Sequence, residues 1–156
     1  MPDDIEGLRA QLDAVNRARL GLAADDGGNA LEAALEAAFE PATKLAIYGT
    51  LAPGKVNHHH IAELGGEWRG AAVRGSLGAV PCGVHQALPA MVLDPAASPH
   101  PLQVLVCQRL ADAWARLDAF EGAEMQRLLV PLEGDGGVTG VANIYALRRA
   151  MVAALG

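Results

Sequence analysis

The sequence predicts an α+β domain: a small antiparallel or mixed β-sheet, open or closed into a barrel, with flanking helices and a helical hairpin ahead of it. Three observations lead there. After Thr43 the hydrophobic period changes from helical steps of three and four to strand-like runs. Six strand candidates then follow with one clear helix among them, without the strand–helix alternation of a parallel sheet. Finally, 156 residues that are 51% hydrophobic and 19% charged suit one globular domain, which at that size buries roughly 70% of its unfolded surface without a disulfide or metal.

The elements follow in order. Ile5, Leu8, Leu12 and Val15 recur at helical spacing, with Arg9, Asp13, Arg17 and Arg19 elsewhere on the wheel. Asp25, Asp26, Gly27 and Gly28 break that helix. Asn29 with Glu32 resembles a capping box opening a second helix, whose apolar face is Leu31, Ala34, Leu35, Ala38 and Phe39 and which Pro41 ends. Residues 1–42 are thus expected as a hairpin extension and 43–156 as the main domain. The hairpin's stripes need a cover, either the rest of the chain or a second copy, which would make a homo-oligomer. A short strand at 44–48 runs into the Gly/Pro loop Gly49–Gly54. Further strands are expected at about 67–79, 90–93, 102–110, 126–133 and 138–147, with helices at 111–120 and 148–155.

Composition excludes several classes. Twelve basic against eighteen acidic residues give a formal charge of −6 with no Lys/Arg block, which argues against a nucleic-acid partner. The acidic Met1-Pro2-Asp3-Asp4 start is no signal peptide, and no run approaches the roughly 18 apolar residues of a membrane span, so no membrane partner is expected. Cys82 and Cys107 form neither a disulfide framework nor a CxxC pair. They are expected in the core of a protein kept in the reducing cytoplasm.

Candidate chemistry gathers at three places. Gly49 to Lys55 matches the G-x-x-x-x-G-K frame of a phosphate loop, but Val56 stands where a hydroxyl would meet magnesium, and His58, His59 and His60 follow where a helix former is expected. The turn still offers backbone N–H groups to an anion such as a carboxylate. Glu121 is the second place. At 100° per residue it lies about 40° from Leu117 and about 20° from Trp114, on the apolar stripe, and Gly122 can end the helix behind it. An inward carboxyl there would be desolvated toward a neutral-range pKa suited to general acid/base work; the alternative is a frayed end at which Glu121 reaches solvent or pairs with Arg127. Third, consecutive side chains diverge, so at most two of the three histidines could share a metal, and no metal site is expected. Leu110, Trp114 and Phe120 read as core.

Ile47 to His58 also resembles the Y-G-[ST]-L-x-x-G-x-x-N-H opening of the gamma-glutamylcyclotransferase-like (AIG2-like) family, closest in form to its γ-glutamylamine branch. Leu117 to Gly122 resembles that family's L-D-x-[FY]-E-G segment. Leu88 to Asp94 is similar to its proline-containing strand, and Gln126 to Leu132 to the strand after the glutamate. The resemblance implies a small β-barrel with flanking helices. It also implies a γ-glutamyl substrate gripped by Tyr48, Gly49, Thr50, Leu51 and Asn57, and Glu121 as the acid/base of a cyclisation that releases 5-oxoproline without cofactor or metal. Met125 stands where such proteins usually carry Tyr, Leu88 where an aromatic is frequent, and residues 1–43 lie outside the family pattern. The competing expectation is a non-catalytic relative that uses its hairpin for assembly.

Overall fold

The computed structural model describes residues 5–23, 28–49, 51–82 and 86–156, the side chains at 28–29, 79–82 and 86–89 excepted. Helices α1 (Ile5–Arg19) and α2 (Gly28–Phe39) form the expected hairpin. Glu32 of the anticipated capping box gives its carboxylate to the Arg19 guanidinium of α1, tying the two helices together, while the Asn29 side chain of that box lies outside the described residues. Pro41 does end α2. Glu40 enters the left-handed region at φ 52°, and a 3-10 turn, Pro41–Thr43, delivers the chain into β1 (Lys44–Ile47).

The remaining strands are β2 (Glu67–Cys82), β3 (Gln86–Leu93), β4 (Pro99–Val106), β5 (Met125–Gly134) and β6 (Gly137–Leu147). Hydrogen bonding runs β1–β4–β2–β3–β6 and returns from β6 to β1, closing a five-stranded barrel, while β5 lies antiparallel along β6 and touches β2 at Ala72↔Glu133. The closing pairs, Leu45↔Asn143 and Ala46↔Ile144, are parallel, so the sheet is mixed. Strand β4 begins earlier than its hydrophobicity suggests, because Pro99 and Pro101 tolerate pairing here. Strand β1 pairs only with 103–106, so the proline half of β4 meets β2 alone and its other side needs no N–H donor. The chain after Val106 then turns as a 3-10 segment, Gln108–Asp112, before α4 (Trp114–Glu121). A short helix α3 (His59–Ala62) and the C-terminal α5 (Arg148–Leu155) complete the fold; α3 was not anticipated.

Alternation along β1 builds two cores. Ala46 faces the barrel interior with Val73, Met91, Val104, Val130 and Ile144, and Tyr48 packs against the same cluster. Leu45 and Ile47 face the other way, meeting Leu51, Ile61, Leu105, Leu110, Leu117 and Tyr145. This outer core joins the loop after β1 to α4, the two segments that carry the candidate motifs.

Of the two covers open to the hairpin, the stripe of α1 has this chain's own barrel. Leu8, Leu12, Val15 and Leu35 are buried with Leu129 and Val141. The fit is polar as well. Strand β5 meets β2 only at Glu133, which leaves its outer edge near Leu129 without a strand partner. Asn16, itself 3% exposed, covers that edge: its carboxamide donates to the Leu129 carbonyl at 2.9 Å and accepts from the Leu129 N–H at 2.8 Å. One turn on, Arg19 donates to the Arg127 carbonyl at 3.2 Å and to Asn143 Oδ1 at 2.8 Å. Arg19, placed off the apolar stripe by its spacing, is thus an anchor.

Candidate active site

The loop after β1 is a succession of tight turns. Ala52 N–H donates to the Gly49 carbonyl, Lys55 N–H to Ala52 and His58 N–H to Lys55. His58 Nδ1 donates to the Leu51 carbonyl at 2.9 Å, and its ring packs 5.7 Å from that of Trp68. These bonds close the loop on itself, and α3 contributes four residues rather than the long helix of a phosphate loop. The other two histidines turn elsewhere. His59 Nδ1 meets the Val56 carbonyl at 3.1 Å and the His60 ring stacks 4.3 Å from Phe120. No metal-holding cluster of His, Cys, Asp or Glu occurs among the described residues.

Tyr48 stands where the barrel is weakest. Strands β3 and β6 share one register pair, Met91↔Ala146. The Tyr48 hydroxyl fills that seam, donating to the Tyr145 carbonyl at 2.7 Å and accepting from the Met91 N–H at 3.0 Å. Its phenol pKa is pushed up, first by burial and further by the charge of Glu121, against the opposing Met91 hydrogen bond. With its hydroxyl bonded to two strands, Tyr48 offers a ligand its ring and backbone. Leu51 is 5% exposed and buried in the outer core, so its backbone is what a substrate could meet. Gly49 and Asn57 lie on the same loop, half-buried; Thr50 falls outside the described residues.

Glu121 is the last residue of α4. Gly122 stops the helix with φ 85° and ψ 178°, a backbone region that essentially only glycine occupies, while its N–H donates to the Asp118 carbonyl at 3.1 Å. Burial pushes the Glu121 carboxyl up from 4.5 to about 7. Its charge contributes to the raised pKa of both Tyr48 and Tyr145. The two motifs, far apart in the chain, meet through the outer core that holds both Leu51 and Leu117. Phe120 departs from expectation: it is 37% exposed and stacks on His60, because a residue 100° round from Glu121 cannot share its inward face.

Arg127, the ion-pair partner open to Glu121 in the sequence, is engaged one turn earlier. It grips Asp118 with Nε at 2.9 Å and Nη2 at 3.2 Å, and its guanidinium lies 4.5 Å over the Trp114 ring. Burial alone would raise the Asp118 carboxyl, but hydrogen bonds from Arg127 and Tyr145 outweigh it and hold it low. The Tyr145 hydroxyl donates to Asp118 Oδ1 at 2.6 Å. Among the described residues no salt bridge reaches Glu121. Register explains the gathering, since Arg127 and Tyr145 are direct cross-strand partners of β5 and β6. An open cavity of about 480 Å³ lies beside them, lined by Asp118, Gly122, Met125, Gln126, Arg127 and Tyr145. Met125 thus borders the cavity, whereas the Leu88 side chain is outside the described set. Asp118, Tyr145 and Asn16 are the residues that sequence reasoning missed. The i, i+3 spacing of Asp118 and Glu121 was the available signal for the first.

Comparison with known proteins gives a consistent picture. Residues 45–154 match a family model described as gamma-glutamyl cyclotransferase, AIG2-like. YkqA from Bacillus subtilis is 26% identical, with a TM-score of 0.51 over 67% of this chain and 35% of its own; the chain spans about a third of that protein's length. An AIG2-like protein from Mus musculus is 19% identical, with a TM-score of 0.50 over 67% of this chain and 76% of its own. A protein from Arabidopsis thaliana is 20% identical, with a TM-score of 0.50 over 69% of each chain. The last two likenesses establish the fold alone. No curated protein matches the chain. Among the described residues no helix is long and apolar enough to cross a membrane.

Proposed function

The chain belongs to the gamma-glutamyl cyclotransferase, AIG2-like family, and from that premise we propose that it releases 5-oxoproline from a γ-glutamyl amine or γ-glutamyl amino acid, with Glu121 as general acid/base. The observation that carries the reading is the half-buried Glu121 carboxyl, raised to about 7, at the end of a helix that shares the outer core with the loop after β1. A γ-glutamyl compound brings its own nucleophile. Its α-amine nitrogen attacks the γ-carbonyl carbon and forms the lactam C–N bond, while the original amide C–N bond breaks. Glu121 takes a proton from the α-nitrogen and returns one to the leaving nitrogen, so 5-oxoproline and a free amine form with no water consumed. Intramolecular attack already benefits from proximity, so the protein has to hold the substrate folded and carry the proton.

In this reading the backbone at Gly49, Thr50 and Leu51, with Tyr48 and Asn57 beside it, receives the α-carboxylate end. Because the turn bonds occupy the N–H groups of Ala52, Lys55 and His58, the grip falls to the amides nearest β1. The mechanism calls for neither cofactor nor metal. We place the reaction in the cytoplasm, consistent with two cysteines that form no disulfide framework. The test is incubation of the full chain with a panel of γ-glutamyl amines and dipeptides and chromatographic detection of 5-oxoproline. Release from at least one substrate, abolished in a folded Glu121→Gln variant, is expected. No release from any would leave the non-catalytic relative as the better account.

A further inference from the structure

We propose that Asp118 is a positioning residue: by holding the Arg127 guanidinium with both oxygens and the Tyr145 hydroxyl with one, it keeps two strong donors off Glu121. The inference rests on the reading of Glu121 as the proton carrier, and it concerns how that carboxyl stays available. Residues three apart on a helix are surface neighbours, with Cβ atoms about 5–6 Å apart. An arginine on β5 that reaches Asp118 is therefore within a side-chain swing of Glu121. Pairing there would fix Glu121 as a carboxylate, too weak a base near neutrality.

The surroundings hold the clamp in place. Trp114, Asp118 and Glu121 lie on one face of α4. Arg127 bonds Asp118 and stacks on Trp114, so its guanidinium is drawn toward the start of the helix, away from Glu121. Trp114 is fixed in turn by its Nε1–H, which donates to the Ala42 carbonyl at 2.9 Å. The backbone of Arg127 is pinned by Arg19 of α1, so the extension in front of the barrel supports the site from behind.

Four further titratable or charged groups on α4 and the neighbouring elements are also engaged. Tyr48, at the end of β1, bonds two backbone groups. His60 of α3 stacks on Phe120. Arg116 of α4 donates to the His60 carbonyl at 2.7 Å. Arg148, at the start of α5, donates to Gln126 and to the Leu20 carbonyl.

The experiment is a carbon-13 NMR titration of the Glu121 carboxyl in the full chain without substrate, paired with pH–rate profiles. Asp118→Ala should lower the Glu121 midpoint by at least about one pH unit, a tenfold loss of proton affinity, and move the acid limb of kcat/KM with it. Adding Arg127→Gln to that variant should restore most of the shift. Asp118→Asn, which keeps one acceptor and the side-chain volume, should shift in the same direction by less, and it serves if the alanine variant does not fold. Arg127→Gln alone should leave the midpoint in place. An unchanged midpoint in Asp118→Asn and Asp118→Ala overturns the proposal. So does an equal shift with and without Arg127, which would mean that the Asp118 charge acts directly. Midpoints that move as expected in a protein that releases no 5-oxoproline would sink the enzymatic reading and leave the clamp standing.

Discussion

Glu121→Gln should stabilise the protein at alkaline pH relative to wild type, and the gain should vanish in acid. Burial raises the Glu121 carboxyl from 4.5 to about 7. Because the folded-state value lies above the unfolded one, folding favours the protonated form. That contribution is fully present below about pH 4.5 and is lost as the pH rises through about 7. At about 1.36 kcal/mol per pH unit, the interval sets an upper bound of about 3.4 kcal/mol. The carboxyl keeps some contact with solvent, and screening discounts the bound to about 1–2 kcal/mol. Glutamine imitates the protonated acid at every pH. The variant-minus-wild-type stability should therefore be flat below about pH 4.5, rise between there and about 7, and level off above. Urea denaturation of both proteins at half-unit steps from pH 4 to 8.5 reads this directly, and groups common to both cancel in the difference. A difference independent of pH would refute the burial argument. One that falls as pH rises would show Glu121 to be a paired carboxylate after all.

Other perturbations test the scaffold that aims this carboxyl. Gly122→Ala places a side chain in a glycine-only backbone region and should cost about 1–3 kcal/mol, read as a lower urea midpoint together with reduced 5-oxoproline release; a change within about 0.5 kcal/mol would mean the helix end adapts freely. Asn16→Ala strips both partners from the edge of β5 at Leu129 and should cost about 1–3 kcal/mol per orphaned group. Faster amide exchange at Leu129 would accompany it, and unchanged exchange would show that the hairpin is dispensable there. Tyr48→Phe removes the bridge between Met91 N–H and the Tyr145 carbonyl, so Met91 should lose exchange protection and stability should fall by about 1–3 kcal/mol. Retained protection would place barrel closure elsewhere.

Where local pattern and tertiary structure share a cause, the sequence was readable. The change of period after Thr43 marks the start of the barrel because β1 is buried on both faces, and Gly122 behind an apolar stripe marks the inward end of α4. The failures have the opposite origin. Pro99 and Pro101 hid the start of β4, since proline is acceptable there only because β1 is too short to need that edge. Spacing put Arg19 away from the stripe, and nothing local singled out Asn16; both act as backbone partners for β5, a role visible only when the register leaves that edge open. Arg127 was a plausible partner for Glu121 by proximity in sequence. The winning contact, with Asp118, depends on Tyr145 standing opposite Arg127 across β5 and β6. Of the proposed site, then, the inward Glu121 at the end of α4 was legible from periodicity and Gly122, whereas the network of Asp118, Arg127 and Tyr145 required the barrel.

The most direct test of the account is the pH dependence of kcat/KM for 5-oxoproline release by the wild-type chain, run beside Glu121→Gln. An acid limb with a midpoint near 7, set by the free enzyme's buried carboxyl, and no measurable turnover in the variant is the expected result. A rate independent of pH between 6 and 8, or a variant that keeps its turnover, would contradict the assignment of proton transfer to Glu121.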